Sequence, residues 1–165
     1  MSGWADAMER LAEDPDAALE ALRQAAPNDP EAALALGVLL LESEADDEAG
    51  LYWLTFAAQA GALGARQVLA RALLQGRVNG RPQPREAVRV LLAAACDGEE
   101  EALVDLVHLA MLLDPALLLD AALGLSEELP TLRRAFARAV RQEAPGWYAV
   151  HGEDLLAALG ESPGT

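Results

Sequence analysis

The side chains able to attack a substrate, relay a proton or hold a metal are few. They are four serines (Ser2, Ser43, Ser126, Ser162), three threonines, two histidines and one cysteine. Nucleophilic catalysis needs a base beside the nucleophile and a third group to orient that base. Cys96 and His108 have the right types for a thiol–imidazole dyad, but nothing in the sequence orients them. Asp105 precedes His108 by three residues, one helical turn, so it could polarise the imidazole or share a metal with it. No third ligand falls in register, and the pair reads as a surface pair. His151-Gly152-Glu153-Asp154 reads as a helix start. No phosphate loop, dinucleotide fingerprint or zinc spacing occurs. The expectation is therefore not an enzyme: no catalytic residue, no cofactor and no metal.

What remains is recognition chemistry, and it is acidic. The chain carries 27 acids against 12 bases, net −15; every base is Arg and Lys is absent. Nucleic acids and anionic membranes demand a basic footprint, so neither is an expected partner. A basic protein is, because opposite fields steer encounter. The alternative is that acidity only keeps an Ala- and Leu-rich chain soluble. The charge is laid out in blocks. Residues 1–50 are net −11, residues 51–98 net +4, residues 99–130 net −8, and residues 131–165 balance. Either the blocks neutralise one another, or the acidic ones form a surface for a basic partner and the Arg band fixes its register. Two acidic runs, Glu44-Asp46-Asp47-Glu48 and Glu99-Glu100-Glu101, fall at helix starts, where carboxylates complement the dipole.

The elements that must position these groups are helices. The chain has 36 Ala and 31 Leu, no Ile and only 9 Val among its 165 residues, a composition that favours helix over strand. Asp14-Pro15, Asp29-Pro30 and Asp114-Pro115 each pair an N-cap carboxylate with a proline at the first helical position, and Pro84 and Pro130 mark two further starts. These signals predict helices over 3–13, 15–26, 30–43, 46–60, 62–75, 84–96, 99–113, 115–123, 130–142 and 152–159. Residues 109–125 are the most apolar stretch. Asp114-Pro115 and Asp120 interrupt it, so it reads as two buried helices rather than a membrane span of about 20 apolar residues. One cysteine permits no internal disulfide, and the first residues show no basic-then-apolar leader; a cytoplasmic location is the expectation.

The helices repeat. Ala57-Ala58-Gln59-Ala60-Gly61 with Ala65 returns 37 residues later as Ala94-Ala95-Cys96-Asp97-Gly98 with Ala102. Trp53 corresponds to Val90, and Gly50 to Ala87. The next helix repeats as Ala32, Leu36, Gly37 and Leu40, then Ala65, Leu69, Ala70 and Leu73, then Ala102, Leu106, Val107 and Ala110. Small residues let two helices approach closely, Leu fills the space between hairpins, and the closing Gly can take φ > 0. A small buried residue is expected at Cys96. In residues 99–113, Leu103, Leu106, Val107, Ala110 and Met111 form an apolar stripe, and Glu101, Asp105 and His108 a polar one.

The pattern A-x-x-x-L-G-x-x-L, a loop, then A-x-x-W-L-x-x-A-A-x-x-G-x-x-x-A resembles the SEL-like repeat, a relative of the tetratricopeptide repeat, over residues 31–113. Gly76-Arg77-Val78-Asn79-Gly80 before Pro84-Arg85-Glu86-Ala87 resembles that family's Gly-rich loop with the glycines displaced. The first unit lacks this loop and has Gly50 where Ala is expected; the third has a short second helix. The resemblance implies an all-α protein, a right-handed α–α solenoid of stacked helical hairpins that binds proteins. One domain spans 1–165, with helical caps at 1–28 and 125–165 around repeats at 29–124. The first helix of each pair then lines the concave face. In repeat register His108 matches Arg71 and Val38, and Leu112 matches Gln75 and Glu42, so Glu42, Arg71, Gln75, Asp105 and His108 are the predicted groove. Asp46, Asp47 and Glu101 belong to the acidic rim. Trp53 is a core residue and its neighbour Tyr52 points outward. Trp4 staples the first helix. Trp147 and Tyr148, after Pro145-Gly146 in a turn, either pack as a cap or stand out as an anchor. The Arg-only, Ile-free composition resembles that of a GC-rich bacterium, and small bacterial members of the family include immunity proteins and effector adaptors. The expected function is to bind and mask one basic protein, a secreted toxin or effector, as a monomer or weak homodimer. The alternatives are a regulatory scaffold or co-chaperone with several weak partners, and a self-assembling structural protein.

Overall fold

A computed structural model describes residues 3–43, 46–99, 101–125 and 129–161. Among the described residues there are ten helices and no strand. They are α1 (Gly3–Glu9), α2 (Pro15–Ala25), α3 (Pro30–Glu42), α4 (Asp47–Gln59), α5 (Ala65–Leu74), α6 (Pro84–Cys96), α7 (Glu101–Leu113), α8 (Leu117–Gly124), α9 (Pro130–Glu143) and α10 (Pro145–Ala158). Glu44 and Glu100, from the two acidic runs, lie outside the described residues. No helix among the described residues is long and apolar enough to cross a membrane. The helices gather into two compact units, Met1–Pro82 with α1–α5 and Gln83–Thr165 with α6–α10.

The carboxylate caps form as the Asp-Pro pairs predict. Asp14 accepts the Ala17 N–H at 3.0 Å, and Asp29 those of Glu31 and Ala32 at 3.0 and 3.3 Å. Asp114 instead accepts the N–H of Ala116 in the turn before α8, and the helix starts two residues beyond its proline. Pro84 and Pro130 open their helices behind Gln83 and Leu129, neither of which caps with its side chain.

In the first unit the core joins Leu22, Ala26, Ala32, Ala33, Leu36, Leu40, Ala57 and Ala65, with Trp53 and Phe56 packed against it edge to face, their ring centroids 5.9 Å apart. α3 and α4 cross at two glycines. A Cβ on Gly37 would lie 3.0 Å from the Gly50 carbonyl oxygen and 2.8 Å from Leu54 Cγ; one on Gly50 would lie 2.9 Å from Leu41 Cγ. Gly50 stands where the repeat pattern asks for Ala because this crossing leaves no space for a methyl. Trp4 ties α1 down by donating from Nε1 to Asp29 Oδ2 at 2.7 Å.

In the second unit Leu106, Val107, Leu118, Phe136, Val140, Leu155 and Leu159 are fully buried. The repeat positions behave alike in both units. Ala32, Ala65 and Ala102 are all 0% exposed. Gly61 and Gly98 close their helices at φ +84° and +96°, the left-handed region that glycine enters without steric cost.

Four expectations need correction. Residues 109–125 form two helices, but each buries one face only: Leu109, Leu117, Leu118 and Leu125 are buried, whereas Leu112 is 83% and Leu123 71% exposed. Met111 is exposed for the same reason and leaves the apolar stripe of α7. Cys96 is exposed, because the buried face of α6 runs through Ala87, Val88, Leu91, Ala94 and Ala95 and the next residue has rotated off it. The last helix starts at Pro145 rather than at residue 152. Pro145 is its first residue, where a proline loses no hydrogen bond, so Trp147 and Tyr148 sit in a helical first turn and His151 lies mid-helix.

Candidate partner-binding site

A polar-rimmed hollow of the first unit lies between α3 and α5. The two helices carry residues matched at the 33-residue offset, Ala32 with Ala65 and Leu36 with Leu69. The hollow has a volume of about 170 Å³ and is lined by Val38, Leu41 and Glu42 of α3, Val68, Arg71 and Ala72 of α5, and Gln75 and Arg77 just beyond it. Its floor is apolar. Leu41 and Ala72 are buried with Leu54, and Val38 and Val68 pack around them. Its rim is polar, with Glu42, Arg71 and Gln75 exposed. Neither Glu42 nor Arg71 makes an ion pair among the described residues.

Arg77 reaches the rim by a backbone device. Gly76 takes φ +74°, and the Arg77 N–H closes the end of α5 on the Ala72 carbonyl at 3.0 Å. A Cβ on Gly76 would meet the Arg81 carbonyl carbon at 3.1 Å, so both φ and space require glycine. Arg77 Nη1 then donates to Asp47 Oδ1 at 2.9 Å, with the guanidinium side chain 24% exposed. The pair offsets the charge of the Arg77 guanidinium and leaves Glu42 and Arg71 as the rim's unpaired charges among the described residues.

Of the residues singled out from sequence, Glu42, Arg71 and Gln75 share this hollow, and Asp47 joins through Arg77. Asp46 does not: its Oδ1 accepts the Ala49 N–H at 2.9 Å and caps α4. Tyr52 points outward, 63% exposed, with its ring 5.1 Å from Trp53. Arg77 was legible only as part of the Gly-rich loop; the positive φ that turns it inward has no periodic signature.

The remaining five lie in the second unit. Glu101, Asp105 and His108 are exposed along α7. His108 is not paired with Asp105: its Nε2 lies 2.7 Å from Glu143 Oε2 at the end of α9. Trp147 and Tyr148 are half-buried on α10. The Trp147 ring centroid is 5.0 Å from that of His151, and Tyr148 lies over Gly152, where a Cβ would meet its ring at 3.1 Å. Both aromatics therefore pack along their own helix. Among the described residues no three His, Cys, Asp or Glu side chains are grouped to hold a metal ion.

Two larger hollows flank α1, of about 500 and 360 Å³, lined mainly by small and polar residues such as Gly3, Ala21, Asn28, Ala17 and Asp14. Neither contains a residue of the predicted groove. Comparison with protein-family models, curated proteins and solved structures finds no match to this chain.

Proposed function

We propose that the protein is a non-catalytic binding module, an α-solenoid of SEL-like repeats that holds one protein partner along the α3–α5 hollow. The observation that carries this reading is the composition of the hollow. Both register-matched pairs, Val38/Arg71 and Glu42/Gln75, line one cavity with an apolar floor and a polar rim. A few placed polar groups over an apolar base are what recognition sites are made of. The excess of acids, 27 against 12, favours a basic partner. The most specific form of the proposal is an immunity or adaptor protein, cytoplasmic, that masks a secreted bacterial toxin or effector.

The test is paired affinity capture from the native cell with the tagged chain and its Glu42→Arg/Arg71→Glu variant, each washed at low and high salt. The proposal expects one stoichiometric basic protein on the wild type that is lost from the variant. A partner retained equally by both would place binding elsewhere. Several salt-labile partners would favour a scaffold, and capture of the chain alone would favour self-assembly.

A further inference from the structure

The same hollow carries an inference about what enters it, which rests on the binding reading above. Its volume of about 170 Å³ is that of a site for one large side chain. A cavity of about 150 Å³ lined by apolar side chains takes up a benzene ring. The floor here is of that kind: Val38, Leu41, Val68 and Ala72 offer methyl groups and no polar atom of their side chains. A charged or amide side chain pushed onto it would lose its water without gaining a partner.

The rim says which apolar side chain. Arg71 stands at the mouth, exposed, and makes no ion pair with any described acid. A guanidinium in that position gains more from an aromatic face, on which it can stack, than from an aliphatic one. Across the mouth, Glu42 is an exposed carboxylate without an ion-pair partner, while Arg77 is already neutralised by Asp47 at 2.9 Å. The residue beside the aromatic on the partner therefore meets a negative group, and a Lys or Arg complements it. Leaving Glu42 opposite another acid would be repulsive.

The geometry points to the α3–α5 hollow as a socket for a single aromatic side chain of the partner, presented next to a basic residue, with Arg71 over the ring and Glu42 on the base. Aromatic anchors in such sockets are the residues that dominate interface energetics.

A random-peptide display library selected on the full-length chain tests this, followed by fluorescence polarisation of the enriched peptides. The expected result is a shared aromatic–basic pair. Leu in place of the aromatic should weaken binding about tenfold, and Arg71→Ala about fivefold. Gln75→Trp, at an exposed position on the mouth, blocks the socket without touching the core. Peptides that lose binding with Gln75→Trp and Glu42→Arg, yet bind equally with Leu for the aromatic, overturn the aromatic socket and leave the groove as a protein-binding site. Peptides indifferent to every groove variant, or no enrichment at all, overturn both.

Discussion

The Asp29 side chain ties α1 to the start of α3, and its removal tests the packing of the first unit. One carboxylate oxygen caps α3 through the N–H groups of Glu31 and Ala32; the other accepts the Trp4 indole N–H at 2.7 Å. Loss of an N-cap carboxylate costs about 1 kcal/mol. A hydrogen bond to a charged acceptor contributes about 1.5 kcal/mol, less here because solvent reaches the site. Asp29→Ala should therefore lower stability by about 2 kcal/mol at pH 7, read by urea unfolding followed by circular dichroism. A double-mutant cycle with Trp4→Phe should return a coupling of about 1 kcal/mol. The pH dependence has a definite sign. The Trp4 N–H is the main cause holding the Asp29 carboxyl below its ordinary 3.8, helped by the Ala32 and Glu31 amides and opposed by burial. Folding thus favours the ionised form. That contribution is complete above 3.8 and disappears as pH falls through the folded value. The gap between wild type and Asp29→Ala should narrow as the solution is acidified below pH 4. A gap of equal size at pH 7 and pH 3, together with a vanishing coupling to Trp4, would refute the tie.

Three further outcomes are expected. Gly98 sits at φ +96° with no atom within 4 Å of a built Cβ, so Gly98→Ala should cost about 1 kcal/mol from backbone strain alone and lower Tm by about 3 °C; an unchanged Tm would count against the left-handed closure of α6. Ala102 is 0% exposed, so Ala102→Leu should destabilise by about 1–3 kcal/mol, whereas Ala60→Leu at an exposed position should stay within about 0.5 kcal/mol, both measured by chemical denaturation. Cys96 is exposed, so Ellman's reagent should titrate one thiol in the folded protein without denaturant; reaction only after unfolding would restore the buried position.

Most helices were legible because their signals are local. Carboxylate caps, proline at the first position and Ala/Leu periodicity mark starts and faces, and the structure follows them from α1 to α9 within a few residues at each end. The first half of α10 was missed where a local signal has two meanings. Pro145-Gly146 reads as a turn, yet proline also opens helices, and the stripe Tyr148, Gly152, Leu155, Leu159 continues at helical spacing behind it. Burial was less legible than helicity. In a chain with 31 leucines, apolar type does not reveal which face is covered, and Leu112 and Leu123 are exposed in helices whose other faces are buried. Tertiary pairs were not legible at all: nothing periodic connects His108 to Glu143, 35 residues away, or Arg77 to Asp47, 30 residues away.

The repeat register separates positions that the fold dictates from positions it leaves open. At 32, 65 and 102 the residue is always Ala and always buried, because two helices meet there. At 38, 71 and 108 it is Val, Arg and His, and at 42, 75 and 112 it is Glu, Gln and Leu. Among these six only Val38 is partly covered; the other five are exposed at the same register in both units. Packing thus asks for nothing in particular at these positions, and side chains of different chemistry occupy one backbone frame. Packing therefore limits the first set tightly and the second set little. Residue choice at 42, 71 and 75 is therefore available for recognition, and these three meet at the mouth of the hollow between α3 and α5. Exchanging the second set between the matched helices should leave folding intact and alter binding at the proposed site, which separates the two roles.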